Sequence, residues 1–351
     1  MPFHTMRPGV IGLALLIGSQ SASSSRATLV VQGGLNEPFG VAFAANGNAY
    51  IVEMGGNRVS ELDGAGHLRV VAGTGVAGLS GDGGPASQAT FNNPHHLAFG
   101  PDGRLYVADT QNFCVRAIDL TTGVITRVAG TGVKGFAGDG GPAVDAQFGG
   151  IFAIAFRGSL LYLCDLGNRR VRVVDLTSGI VKTVAGNGEK GVPADGQPAL
   201  EQPLVDPRAV AVDANGNLYV LEREGHALRV VRADGKIRTV AGTGAPGFSG
   251  DGGPARSAEL RGPKHISIDD NDQSVLISDT ENHVIRRYSP VDGTISRVAG
   301  SGMLGSGGLD GPADHCELNR PHGAQVRPHS RAIYISDSEN HRVIKVEPTR
   351  R

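Results

Sequence analysis

Tryptophan is missing from the chain, and only three cysteines occur, Cys114, Cys164 and Cys316, with no C-x-x-C pair among them. The first absence excludes repeats built around a tryptophan signature. The second leaves one disulfide with a free thiol, or three core thiols; Cys164, inside the apolar run LLYLCD, has the setting of a core residue. Blocks of one charge are absent too. The formal net charge is −1, so there is no electrostatic footprint for nucleic acid or an anionic membrane. The apolar run GVIGLALLIG is ten residues long, too short to span a bilayer. No G-x-S-x-G, H-E-x-x-H, G-x-x-x-x-G-K or D-x-D-x-D-G motif occurs. The nearest to the last, Asp269-Asp270-Asn271-Asp272, reads as a solvated hairpin turn.

The first 27 residues differ from the rest. One arginine precedes the apolar run, and SQSASSSRA follows it, with Ser25 and Ala27 placed as the −3 and −1 positions of a cleavage site. Residues 1–27 are expected to be an export signal, and the remainder a secreted or periplasmic protein. No acidic residue precedes Glu37, which keeps organelle import as the alternative. No cysteine follows the run, which speaks against a lipoprotein anchor.

What is abundant is glycine, 53 of 351 residues, with a hydrophobic fraction of 40%. That combination points to many tight turns around a real core. The glycines are periodic. VAGTG at 71 returns at 128, as VAGNG at 184, as VAGTG at 240 and as VAGSG at 298, a spacing of 56–58 residues. GDGGPA at 81 returns at 138 and 250, and survives as ADGQPA at 194 and LDGPA at 309. Each unit reads as four short runs of Val, Ile, Leu, Tyr and Phe closed by turn residues, such as Asn46-Gly47 and Asp102-Gly103. Six such meanders, with starts near 36, 92, 149, 205, 261 and 319, imply an all-β, six-bladed β-propeller of four-stranded antiparallel blades. The sixth unit carries only three strands. TLVVQGG at 28–34 matches the missing fourth and is expected to close the ring. Residues 28–351 then form a single domain.

ADTQNFCVR, CDLGNRRVR, SDTENHVIR and SDSENHRVI resemble the signature of NHL-repeat proteins, with Asn-His at Asn282-His283 and Asn340-His341. The resemblance implies a six-bladed propeller, and the Gly-rich spacer looks like the secreted subset, including the propeller of teneurins. It implies little about activity, since this fold hosts binders and enzymes alike.

Strand order places the Pro-X starts, the D-x-x-N turns and the long Gly-rich loops on one face, here the top, and tight turns on the bottom. The top face is therefore the expected site of binding. The acid ending each second strand (Glu53, Asp109, Asp165, Glu222, Asp279, Asp337) recurs in every blade, so its expected role is to organise turns. Asp82, Asp139, Asp195, Asp251 and Asp310 of the spacer are read the same way, with calcium as the other reading. Leu or Phe at 91, 148, 204, 260 and 318 should plug between blades.

The blades disagree just after the Pro. That position holds Phe39, His95, Phe152, Arg208, Lys264 and His322, and the next holds Gly40, His96, Ala153, Ala209, His265 and Gly323. Both sets should ring the axis. His95, His322, Lys264 and Arg208 are the catalytic candidates, and His96, His265, Phe39, Phe152 and Glu222 the ligand-binding candidates, Glu222 because LEREGHALR breaks the pattern of blade 4. His95, His265 and His322 could hold a divalent metal, zinc or calcium. The expected function is a binding module for a protein, a glycan or a small anionic or carbonyl-bearing ligand. The alternative is a metal-assisted lyase or hydrolase, as in the related streptogramin lyases, amidating lyases and gluconolactonases.

Overall fold

The computed structural model describes Met1 and residues 25–347. Residues 2–24 of the expected export segment lie outside the described residues, and its last three residues lie within them. Those three are part of the fold: the propeller begins at Arg26, two residues before the expected boundary. Ala27 is fully buried, its N–H donates to Gly311 O (3.1 Å), and Ala313 N–H donates to Ser25 O (2.7 Å). Among the described residues no helix is long and apolar enough to cross a membrane.

Six four-stranded antiparallel sheets are arranged as blades. Blade 2 runs His96–Phe99, Leu105–Asp109, Cys114–Ile118 and Ile125–Ala129 from axis to rim, and the others repeat it. The last sheet is completed from the other end of the chain. Arg26–Gln32 pairs antiparallel with Arg342–Glu347, from Arg26 opposite Glu347 to Gln32 opposite Arg342. This clasp closes the ring as the repeat count required.

Burial follows position within the blade. The second and third strands of blade 2 are buried at every residue, because blades cover both their faces. The rim strand Ile125–Ala129 alternates, with Ile125 and Ala129 inside and Arg127 in solvent. Phe91, Phe148, Leu204, Leu260 and Leu318 are all fully buried, as expected of inter-blade plugs. Phe91, for example, packs with Val52 and Val59 of blade 1 and with Leu97 and Leu105 of blade 2. The three cysteines are buried, free and in different blades, so they are core thiols.

The GDGGPA loops are held by buried arginines. Arg116, Arg172 and Arg286 are completely enclosed. Their Nε atoms donate to Asp82, Asp139 and Asp251, each at 2.9 Å. Arg116 also donates to Thr90 O and Ser80 O, both at 2.7 Å, which pins the loop at two further points. The spacer carboxylates offered to calcium by the sequence are thus engaged by guanidinium groups in three blades. In blade 4, Asp195 instead accepts from Arg256 (2.8 Å) and the Thr239 amide (2.7 Å). The tight return needs glycine at one point in particular. Gly138 has φ +92°, and a Cβ there would lie 2.7 Å from Ala146 Cα. Gly138→Ala is expected to cost about 2 kcal/mol or more, read by denaturant unfolding.

The second-strand acids tie each inner strand to its neighbour. Asp109 accepts from Asn92 N–H and Asn112 Nδ2, both at 2.8 Å; Asp165, Asp279 and Asp337 repeat this with Gly149, Arg261 and Asn319. Glu222 belongs to the same set. It is fully buried, accepts from Val205 N–H (2.7 Å) and from Arg229 (2.8 Å), and so fixes the turn two residues before Pro207.

Candidate functional site

The inner strands bring the six post-proline side chains together on the axis, near the top, where the sequence reading put them. They form a nearly closed circle. His322 stacks on Phe39 with ring centroids 4.0 Å apart, and Phe39 meets His95 edge-on at 5.0 Å. His95 meets Phe152 at 4.7 Å, and the Arg208 guanidinium carbon lies 4.4 Å from the Phe152 centroid. On the far side, Lys264 Nζ is 3.3 Å from His322 Nε2. No hydrogen bond or ring contact joins Arg208 to Lys264 among the described residues.

Burial distinguishes this ring from a solvated rim. Phe39 and Arg208 are 5% exposed, and Lys264 and His322 8%. Four of the six are thus enclosed, while His95 and Phe152 stay partly exposed. Hydrogen bonds fix two histidine tautomers. His95 Nδ1 is 2.7 Å from Asn93 O and His322 Nδ1 is 2.8 Å from Arg320 O. A carbonyl only accepts, so both Nδ1 atoms carry the proton and both Nε2 atoms present lone pairs. Lys264 also pairs with Glu281 at 2.9 Å.

Arg208 has no such partner. Its Nε is buried without a hydrogen bond, and no acceptor bonds its guanidinium among the described residues. The nearby carboxylate of Asp206 is taken by Arg223 at 2.7 Å. Burial, reinforced by the charge of Arg223, brings the Arg208 guanidinium down to about 9. Burial brings the Lys264 ammonium down to about 8, against the opposing pull of Glu281. Burial and then the Arg208 charge hold His95 well below the usual imidazole range, and His96 at about 4. His265 and His322 are held low by burial and by neighbouring positive or imidazole groups. At neutral pH the axis carries two cations and four neutral imidazoles.

One layer below, His96 and His265 meet across the axis, Nε2 to Nε2, at 2.9 Å. Blades 2 and 5 are opposite one another in a six-blade ring, and Gly40, Ala153, Ala209 and Gly323 leave the room. A Cβ at Gly40 would touch the His96 ring at 3.4 Å. This crossbar divides the channel. Beneath it lies a cavity of about 320 Å³, roofed by His96 and lined by Phe43, Phe99, Phe156, Val212 and Ile268. These residues end the inner strands, so the cavity opens on the bottom face of tight turns. Sequence reasoning missed it. The signal was there in the recurrence of Phe at the same register, 43, 99 and 156, but an apolar strand end reads as ordinary core until the barrel of inner strands is seen to be hollow.

The three histidines offered to a metal do not converge. His95 and His322 are tied to carbonyls in the upper ring, and His265 faces His96 below. No group of three or more His, Cys, Asp or Glu side chains is placed to hold a metal among the described residues.

A six-bladed propeller with a polar axial site is thus the class that fold and geometry define. The NHL-repeat pattern matches residues 91–118. The chain is 26% identical over 287 residues to NHL repeat-containing protein 2 of Gallus gallus, covering 73% of this chain and 39% of that protein. It is 28% identical over 256 residues to teneurin-1 of Mus musculus, covering 64% of this chain and 9% of that protein. It therefore spans less than half the length of either relative. An auxiliary nutrient binding protein from Bacteroides ovatus superposes with a TM-score of 0.64 at 16% identity, over 90% of this chain and 70% of that one, which shows the shared fold. The chain carries the NHL repeat and is similar to NHL-repeat proteins.

Proposed function

We propose that this propeller is an exported binding module that holds a small anionic ligand on its axis, at Arg208. The observation that carries the reading is Arg208, a residue 5% exposed whose Nε is buried without a hydrogen bond. An enclosed charge without a counter-ion costs several kcal/mol. A carboxylate or phosphate group facing Arg208 on the axis removes that cost. Binding fits the ring better than turnover. Its six side chains include no hydroxyl, thiol or carboxylate to act as a nucleophile, and His322 Nε2 is engaged by Lys264.

The test is a thermal-shift and calorimetric screen of acetate, benzoate and inorganic phosphate on the full chain. At least one anion is expected to bind and to raise the melting temperature. No binding by any of them overturns the reading. The pH dependence has a defined sign. Each cation loses its attraction as pH rises through its folded value, about 8 for Lys264 and about 9 for Arg208, so affinity is expected to fall between pH 8 and 9.5.

Export has its own check. Ala27 is wholly buried and Ser25 O is bonded within the last blade, so a cut after Ala27 would strip part of the clasp. N-terminal sequencing of exported protein is expected to place the mature end before Ser25.

A further inference from the structure

The upper ring and the lower cavity are separated by a contact that cannot satisfy all its own donors. His96 Nδ1 accepts from Ile154 N–H at 3.4 Å, and His265 Nδ1 accepts from Ala324 N–H at 3.5 Å. A backbone amide only donates, so each Nδ1 offers its lone pair. Each neutral ring then carries its proton on Nε2. Yet the two Nε2 atoms are 2.9 Å apart. Two N–H donors point at each other, or one ring turns its tautomer and sets an N–H against a backbone N–H. The group that suits two facing donors is an acceptor placed between them. Arg208, the unpaired cation, acts on both of these rings electrostatically.

The way in is from below. Above, Phe39, Arg208, Lys264 and His322 are each at most 8% exposed, while His95 and Phe152 are partly exposed. Below, Phe43, Phe99, Phe156 and Ile268 are half-buried around open space. A ligand that reaches the crossbar from this side rests an apolar body on these side chains. The polar side chains of the lining are His96, Gln325, Ser267 and Asp270, set among these apolar ones. Ser267 Oγ already donates to Ala324 O (2.6 Å), and Asp270 is exposed at the mouth. A second carboxylate at the far end of the ligand would meet Asp270 and be repelled. The cavity of about 320 Å³ holds roughly ten non-hydrogen atoms at ~30 Å³ each.

We propose that the axial site takes a monocarboxylate with an unbranched or aromatic apolar body, admitted from the bottom face. The body fills the lower cavity, and the carboxylate separates His96 from His265, accepts from both Nε2–H groups and faces Arg208. This rests on the anion reading above and adds the ligand class and the direction of access. Nothing covalent is involved. The rings move apart, and both backbone bonds to Nδ1 are kept.

The experiment is a calorimetric chain-length series on the full chain at pH 7: acetate, butanoate, hexanoate and octanoate, with octanedioate and 1-octanol as controls. Affinity is expected to rise roughly tenfold for every two methylenes until the cavity is full. Octanedioate and 1-octanol are expected to bind at least tenfold more weakly than octanoate. Nitrogen-15 spectra of the imidazoles are expected to show octanoate perturbing His96 and His265 while His95 keeps its Nδ1–H form. In Ala155→Trp, which fills the cavity wall, octanoate affinity is expected to fall at least tenfold, with circular dichroism confirming the fold. Acetate and octanoate binding equally, or octanedioate matching octanoate, overturns this inference and leaves the anion reading standing. No binding by any anion overturns both.

Discussion

Arg208→Met is expected to raise the thermal stability of the ligand-free protein and to abolish anion binding. The two effects have opposite signs, which separates this outcome from ordinary damage. The wild-type side chain lies against the Phe152 ring with its Nε buried and unbonded. Methionine keeps apolar contact with Phe152 and removes a charge that no protein group neutralises. A gain of about 1–3 kcal/mol is expected in denaturant unfolding, and a loss of at least a hundredfold in affinity for whichever anion binds the wild type. A destabilised variant would show that something in the protein pairs the guanidinium. A stable variant that still binds would remove Arg208 from the site.

Arg172→Met is expected to do the reverse. This arginine is equally buried but fully engaged. Its Nε and Nη2 donate to Asp139 at 2.9 and 2.7 Å, and its remaining donors reach Gln147 O at 2.8 Å and Ala137 O at 2.9 Å. The guanidinium also sits 4.5 Å from the centroid of the inter-blade plug Phe148. Removing it leaves two carbonyls without donors and Asp139 without its counter-ion, and loosens the loop that carries the chain from the rim of blade 2 to the axis of blade 3. Breaking one side of such a buried network costs about 3–5 kcal/mol. At ~2–4 °C per kcal/mol for domains of somewhat smaller size, the melting temperature should fall by roughly 10 °C. Arg172→Lys is not expected to rescue it, because one ammonium cannot span the carboxylate and both carbonyls. A loss below about 1 kcal/mol would put the Asp139 pair in the class of surface ion pairs.

The two arginines also show what local sequence can and cannot convey. Arg172 follows Asn168 at the spacing of a recurring motif, and its role is that of Arg116 and Arg286 two other times around the ring. Arg208 stands where Phe39, His95, Phe152, Lys264 and His322 stand in other blades. The position was legible as one where the blades disagree. That its side chain would be enclosed and left without an acceptor was not, because both depend on five other strands meeting it on the axis. Arg208, Lys264 and His322 read as polar and available one by one, yet where the blades converge on the axis they are at most 8% exposed.

The histidines make the point at closer range. His96 and His265 lie 169 residues apart, and their Nε2 atoms meet at 2.9 Å. The small residues at the same level, Gly40, Ala153, Ala209 and Gly323, are visible in the sequence. That they clear a path between two opposite blades follows only from the six-fold geometry. His95 and His322 were candidates for a shared metal. Backbone carbonyls, unreadable in any side-chain pattern, fix their tautomers, and Phe39 touches both rings.

The sequence by itself determined the repeat, the blade number, the closing strand and the scaffold role of the motif acids, since each rests on local periodicity and turn chemistry copied several times along the chain. Only the tertiary structure decided which axial side chains are enclosed, which cation is left unpaired and which face of the channel opens. Those properties belong to residues that occur once each, and they arise where six separate blades converge.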